Sequence, residues 1–196
     1  MKLWDKNNSV NEKIIEFTVG DDRLNDLYLI KYDIKASISH AKMLYRSNLL
    51  SEIECDKIIN ILNEILSQAE AGELKIEKEF EDMHSKIEYI LTDKLGDIGK
   101  KIHTARSRND QVLVSIQLYL IDELNFIKAE VKSLFDLLIN LAKKNKNIIM
   151  PGYTHMRAAM PSSFGLWFSA YAEILIDDVI SLNSTIEIIN QNTLGS

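Results

Sequence analysis

The chain has 196 residues, 46% hydrophobic and 27% charged, with a formal net charge of -6. That is ordinary globular material, long enough to bury a substantial core, and its acidic balance argues against nucleic acid as the main partner, since such binders carry a basic field or stripe. No stretch reaches the ~18 uninterrupted apolar residues of a membrane span, the polar start MKLWDKNNSVNEK lacks a signal peptide's apolar centre, and the single Cys55 has neither a disulfide mate nor metal-ligand spacing, so a reducing cytoplasm is the expected setting.

Scarce Gly and Pro and a persistent three- and four-residue apolar spacing predict an all-α protein with weak strand signals. From about Asp22 to Leu49, the residues Leu24, Leu27, Ile30, Ile34, Ile38 and Ala41 form a helical stripe. His40 on that helix reads as structural. A new helix is predicted to start at Ser51, where Ser51-Glu52-Ile53-Glu54 is a capping-box pattern, and to end before Gly72. It carries Ile58, Ile59, Ile61, Leu62 and Ile65, with Cys55 as a small buried apolar residue. A shorter helix is expected from Asp82 to Leu95, after which Gly96 and Gly99 mark a loop.

That loop leads into the densest chemistry of the chain, His103-Thr104-Ala105-Arg106-Ser107-Arg108-Asn109-Asp110. Two Lys, one His and two Arg fall between Lys100 and Arg108, in a protein that is acidic overall. Arg offers paired donors to a carboxylate, while Thr, Ser and Asn can fix its orientation, so the segment suits a small carboxylate-rich ligand. A solvated basic loop is the plain alternative.

Beyond it, Ile116, Leu120, Leu124, Ile127, Val131, Leu134, Leu138 and Leu141 sustain one long helix. Flanking apolar residues widen its surface beyond a two-stranded seam, so several neighbours must cover it. Both prolines of the chain then bracket Pro151-Gly152-Tyr153-Thr154-His155-Met156-Arg157-Ala158-Ala159-Met160-Pro161. Such a segment should be a stiff crossing, with Pro161 opening the next helix at its first position and a Thr-His pair held where a proton could be moved. Phe164, Phe168, Tyr171, Leu175, Val179, Leu182, Ile186 and Ile189 predict a second long helix. The shift from shorter to longer helices predicts two domains: 1-108, small, helical and carrying the basic segment, and 109-196, the beginning of a long-helix bundle that is incomplete in this chain.

The stretches HTARSRNDQV and PGYTHMRAAMP, together with Glu81-Asp82-Met83-His84 followed by Glu88, resemble the argininosuccinate lyase family within the fumarase and aspartase superfamily of helical lyases. Lys2-Leu3-Trp4 and the run from Asp33 to Ala41 are similar to the family's opening, so the resemblance covers nearly the whole chain. It implies cleavage of argininosuccinate to arginine and fumarate by elimination, as a step of arginine biosynthesis, in a homotetramer whose sites combine segments from different copies. Arg108 of one chain would meet His155 of another. By position, His155 matches the family's catalytic His, and Arg108, Asn109 and Thr154 match substrate-binding residues. His84, His103, Thr104 and Ser107 lie in matching segments as possible support for the site, with Asp82 or Glu88 able to orient an imidazole. For His84, a hydrogen-bonded structural role stands equally beside that reading. The four His are dispersed without a compact ligand motif and the resembled chemistry uses no metal, so neither metal nor cofactor is expected.

Two departures stand out. Gly20 occupies the place where the family usually has a substrate-binding Ser three positions after a Phe, here Phe17, which leaves a backbone N-H, Thr18 or Asp21 to replace it. The chain also stops at Ser196, before the family's Ser-rich third block with its catalytic Ser and binding Lys. Three readings follow: an argininosuccinate lyase represented by its N-terminal part; an inactive helical fragment or assembly module; or a related fumarate-releasing lyase, such as one acting on adenylosuccinate. The wording of the two long segments favours the first over the third.

Overall fold

Helix boundaries follow local chemistry through the first part of the chain. The computed structural model describes residues 12–192. Lys2-Leu3-Trp4 and the last four residues lie outside them. Among the described residues the chain is predominantly helical, with seven α-helices, one 3-10 turn and one two-stranded hairpin. The described residues up to Tyr119, with Asn192, form one compact unit, and Leu120–Gln191 form another.

In the first unit, α1 (Glu12–Val19) and α2 (Asp22–Arg46) precede α3 (Glu52–Glu70), α4 (Met83–Leu95), α5 (Asp97–Lys100) and a 3-10 turn at Lys101–His103. The capping box at Ser51 is present. The Ser51 N-H donates to Glu54 Oε2 at 2.9 Å, and the Glu54 N-H to Ser51 Oγ at 3.3 Å. Asp82 caps α4 by accepting the Ser85 N-H at 2.7 Å. These caps satisfy helix-end donors that would otherwise lack partners. Ile34, Leu44, Ile58, Leu62 and Leu91 are wholly buried where α2, α3 and α4 pack together, with Cys55 among them. Each such side chain contributes roughly 1.5–3 kcal/mol of burial.

The stretch after Gly96 is more ordered than the loop expected from its glycines. A Cβ on Gly99 would stand 2.2 Å from the Leu91 carbonyl oxygen. Gly99 therefore lets α5 press directly on the α4 backbone, so its role is close packing.

Helix α6 runs through Arg108–Lys144, and its part beyond Tyr119 belongs to the second unit. There it is followed by β1 (Ile149–Thr154), β2 (Arg157–Ser163) and α7 (Phe164–Ile189). The strands are antiparallel, pairing Pro151 with Pro161 and Thr154 with Arg157, with a register shift between Gly152 and Tyr153. The expectation that Pro161 would open the next helix is corrected. Pro161 lies within β2, and α7 starts at Phe164 under a Ser163 cap whose Oγ accepts the Leu166 N-H at 3.1 Å. The physical reason is that proline pushes the residue before it, here Met150 and Met160, into extended backbone. A ribbon of two edge strands also tolerates proline's missing donor. Gly165 repeats the device of Gly99, since a Cβ there would lie 2.6 Å from Lys146 Cα, where α7 begins against the end of α6.

Within residues 120–191 only Ala142, Gly165 and Ala172 are buried. Phe126, Leu137, Ile174 and Ile188 leave α6 and α7 with exposed apolar faces. No helix among the described residues is long and apolar enough to cross a membrane.

Candidate active site

Helical spacing puts Asp33, Ser37 and His40 on one face of α2, and His84 and Glu88 one turn apart on α4. The segment from Ile102 to Asp110 is held by both faces. His103 Nδ1 lies 2.8 Å from Glu88 Oε1. His40 Nε2 donates to the Thr104 carbonyl at 3.0 Å. Arg106 Nη1 donates to Ser37 Oγ at 3.0 Å. Between the last two contacts, Ala105 adopts a left-handed φ of 54°, an uncommon conformation for a residue with a Cβ.

Beneath this segment Asp33 and His84 form a buried pair, with Asp33 Oδ1 3.0 Å from His84 Nδ1. Neither atom meets the geometry of a directed hydrogen bond, so the contact is one of proximity. Burial pushes the Asp33 carboxyl up to about 6, against the opposing pull of Arg106 and then Arg108. Burial likewise raises Glu88, with His103 and Arg106 lowering it. It lowers Arg106, which Asp33, Glu88 and Asp110 partly offset. The His40 imidazole is lowered by burial and by Arg106.

The segment then enters α6 through a reciprocal cap. The Ser107 N-H donates to Asp110 Oδ2 at 2.7 Å, and the Asn109 N-H to Ser107 Oγ at 3.0 Å. Arg108 and Asn109 consequently occupy the first turn of a long, rigid helix. The Arg108 guanidinium has long contacts only: Nη1 to Gln111 Oε1 at 3.4 Å, Nη2 to Ser85 Oγ at 3.5 Å, and Nε to Asp82 Oδ2 at 3.7 Å. Bonds of that length are weak, so a carboxylate could displace them at small cost.

In the second unit, Thr154 ends β1 and His155-Met156 make the two-residue turn into Arg157. Both predicted residues are exposed, and His155 has a left-handed φ of 56°. They line a shallow concavity with Met156, Arg157, Ala158 and Ala159. The structure thus gathers His84, His103, Thr104, Ser107, Arg108 and Asn109 in the first unit and Thr154 with His155 in the second. At the early segment, the Thr18 hydroxyl bonds locally to the Ile14 carbonyl at 2.9 Å, and Gly20 is an exposed turn residue with φ 50°.

Sequence reasoning counted Arg106 among the donors to a ligand carboxylate and noted Asp33 and Ser37 only within the run similar to the family's opening, whereas the structure bonds Arg106 to Ser37 and sets Asp33 beside His84. The signal of Asp33 and Ser37 was available: a carboxylate and a hydroxyl four residues apart, beside the apolar stripe of α2. Of the two carboxylates proposed to orient an imidazole, Glu88 contacts His103, whereas Asp82 caps α4 and the partner of His84 is Asp33.

The helical architecture is similar to that of solved fumarate lyase and fumarase structures. The fold is similar to a fumarate lyase:delta crystallin from Brucella melitensis in native form, with a TM-score of 0.75 at 17% identity, covering 95% of this chain and 46% of that one. A recombinant class II fumarase from Schistosoma mansoni gives a TM-score of 0.75 at 16% identity, covering 100% of this chain and 45% of that one.

The family profile described as "Lyase" matches residues 15–196, and the chain belongs to that family. Along its whole length it is similar to proteins named argininosuccinate lyase. One from Phocaeicola vulgatus is 51% identical over 195 residues, covering 100% of this chain and 44% of the relative. Another from Thermotoga neapolitana is 48% identical over 195 residues, covering 100% and 49%. The chain thus spans less than half the length of these relatives.

Proposed function

We propose that this chain supplies the N-terminal part of an argininosuccinate lyase, a carbon-nitrogen lyase of arginine biosynthesis working in the cytoplasm. The observation that carries the reading is the likeness, along the full chain, to proteins of that name. The two chemistry-bearing segments support it, standing at the start of α6 and at the tip of the hairpin.

In the proposed reaction, a base takes the proton from the succinyl carbon beside a carboxylate, and the electron pair moves into that carboxylate as an aci-carboxylate. The C-N bond then breaks with its electrons going to the guanidino nitrogen, which is protonated, leaving arginine and fumarate. Arg108, Asn109 and Thr154 hold substrate oxygens. Donors already aimed at the accumulating negative charge stabilise the transition state more than the substrate, which is what accelerates the step. His155 takes or gives a proton, a task suited to an imidazole near neutral pH. His84, His103, Thr104 and Ser107 support the first-unit portion through the contacts described above.

The same reading makes the working assembly a homotetramer, in which Arg108 of one chain meets His155 of another. The exposed apolar residues of α6 and α7, such as Phe126 and Ile174, favour such association.

Activity of this chain alone is not expected without the family's third block, so the test is to combine it with the remaining C-terminal part of an argininosuccinate lyase, add argininosuccinate and measure fumarate, beside a His155→Ala control. Fumarate formation lost in the variant supports the reading. An assembled preparation that releases no fumarate, or a variant that retains full activity, overturns it.

A further inference from the structure

Arg106 lies two residues before Arg108, yet the two guanidiniums are in different circumstances. Arg108 makes only long contacts. Arg106 is held by Ser37, a residue 1% exposed, and its own Nε is buried without a hydrogen-bond partner. The carboxylates that stabilise its charge, Asp33 and Glu88, come from α2 and α4, and each also contacts an imidazole, His84 or His103. The half-buried guanidinium thus feels the negative charge of two carboxylates, each of which faces an imidazole. A directed bond runs from Nη1 to Ser37, and that buried hydroxyl anchors the half-buried guanidinium.

What this burial accomplishes is seen in the backbone on either side. Ala105 is left-handed, and the turn cannot relax on its N-terminal side while His40 holds the Thr104 carbonyl. On its C-terminal side the next residue is Ser107, the cap of α6. Fixing the Arg106 side chain thus fixes the point at which α6 begins, and with it the direction in which Arg108 and Asn109 leave the first turn. A displacement of about an ångström there is enough to cost a binding or catalytic contact.

We propose that Arg106 is a positioning residue: anchored on the buried Ser37 hydroxyl, it sets the 102–107 turn so that Arg108 and Asn109 present their side chains to the carboxylates of the substrate. The identity of that substrate rests on the lyase reading above, whereas the clamping of the turn does not.

Two variants of the full chain test it. Ser37→Ala removes the one hydroxyl that receives the guanidinium, and Arg106→Lys keeps the charge but loses the planar fork. Amide hydrogen exchange is measured residue by residue. The expected result is a loss of protection of roughly tenfold or more at Ser107, Asn109 and Gln111, with Ile58 and Leu62 in the core unchanged. With argininosuccinate, KM should rise more than kcat falls, and the NMR signal of the Arg106 Nε-H should move in Ser37→Ala. Ser37→Thr, which restores the hydroxyl, should recover protection. Unchanged protection at these amides overturns the proposal, as does equal loss throughout the unit, which a merely structural role produces. If the unsubstituted chain, combined with the remaining C-terminal part of the lyase, gives no fumarate, the substrate assignment fails while the exchange pattern still decides the clamp.

Discussion

The two units place their candidate site residues in opposite physical settings. In the first, Asp33 and His84 are buried against each other and Arg106 is bonded to the buried Ser37. In the second, Thr154 and His155 stand exposed on a hairpin, beside helices whose apolar faces are largely uncovered. The difference teaches that a substitution near the site should be read differently in each unit. In the first it disturbs folding and ligand geometry together, and in the second it touches chemistry with little effect on the fold.

The strongest test of that contrast is Asp33→Ala. It strips the partner from buried His84, and breaking a buried pair in this way costs about 3–5 kcal/mol. Chemical denaturation followed by circular dichroism should register the loss, and a stability within error of the parent would break the comparison. Leu62→Ala sharpens it on purely apolar grounds. Leu62 is 0% exposed, and truncating it should cost about 2–5 kcal/mol. Leu137, 55% exposed in the second unit, should change stability by no more than about 0.5 kcal/mol when replaced by Ala. Equal effects at the two leucines would mean that the exposed faces of α6 and α7 are covered in solution, as in the proposed tetramer.

An exception to the second unit's tolerance is expected at Gly165. The Cβ of an alanine would lie 2.6 Å from Lys146 Cα, a backbone atom that cannot swing aside. Gly165→Ala should therefore cost about 1–3 kcal/mol, as overpacking generally does. If thermal unfolding is unmoved, the approach of α7 to α6 is looser than described.

These contrasts also show which features could be read from the chain. The capping box at Ser51 was legible because its donors and acceptors lie three residues apart. So were the long helices, whose spacing repeats over many turns. The hairpin was missed because its prolines were taken as helix punctuation, although Met150-Pro151 and Met160-Pro161 each favour extended backbone. Arg108 and Asn109 were noticed by the wording of their segment. The bond from Arg106 to Ser37 and the contact of Asp33 with His84 were not, because they arise when α2 packs beside α4 and the 102–110 segment, partners some fifty residues or more away that no local pattern encodes. Thr154 and His155 were singled out by their place between the two prolines and by resemblance, and the fold gives them an exposed turn.

A pH series probes the first unit with smaller effects. Burial raises Asp26 to about 6 and Asp33 to about 6, both above an ordinary 3.8. Both therefore bind their protons more tightly folded than unfolded. Their contribution to stability is full below about pH 4 and lost as pH rises through about 6. Glu54 opposes this trend at the acid end, because its bonds with Lys101 and Ser51 lower it to about 2, and its stabilisation is lost as pH falls from 4.5 toward 2. Asp26→Asn keeps an acceptor for the Met83 N-H, bonded at 2.8 Å, while removing one of the raised carboxyls. The drop in melting temperature between about pH 4 and about pH 7 should be smaller in this variant. A drop as large as the parent's would show that Asp26 does not titrate in that window.

The smallest change in stability is expected at His155. The side chain is exposed and the residue sits in a left-handed turn of a two-stranded ribbon, so His155→Ala removes no buried contact. Its effect on unfolding should be within about 0.5 kcal/mol, as for surface sites generally. That near-silence gives the substitution its value, because loss of fumarate formation in a variant that unfolds like its parent can be assigned to the imidazole itself. At Asp33 the same loss of activity would be confounded with loss of fold. If His155→Ala instead unfolds much more easily, the imidazole is buried in the working assembly and its loss of activity cannot be assigned to chemistry. The contrast between the units would then belong to the single chain and disappear when copies associate.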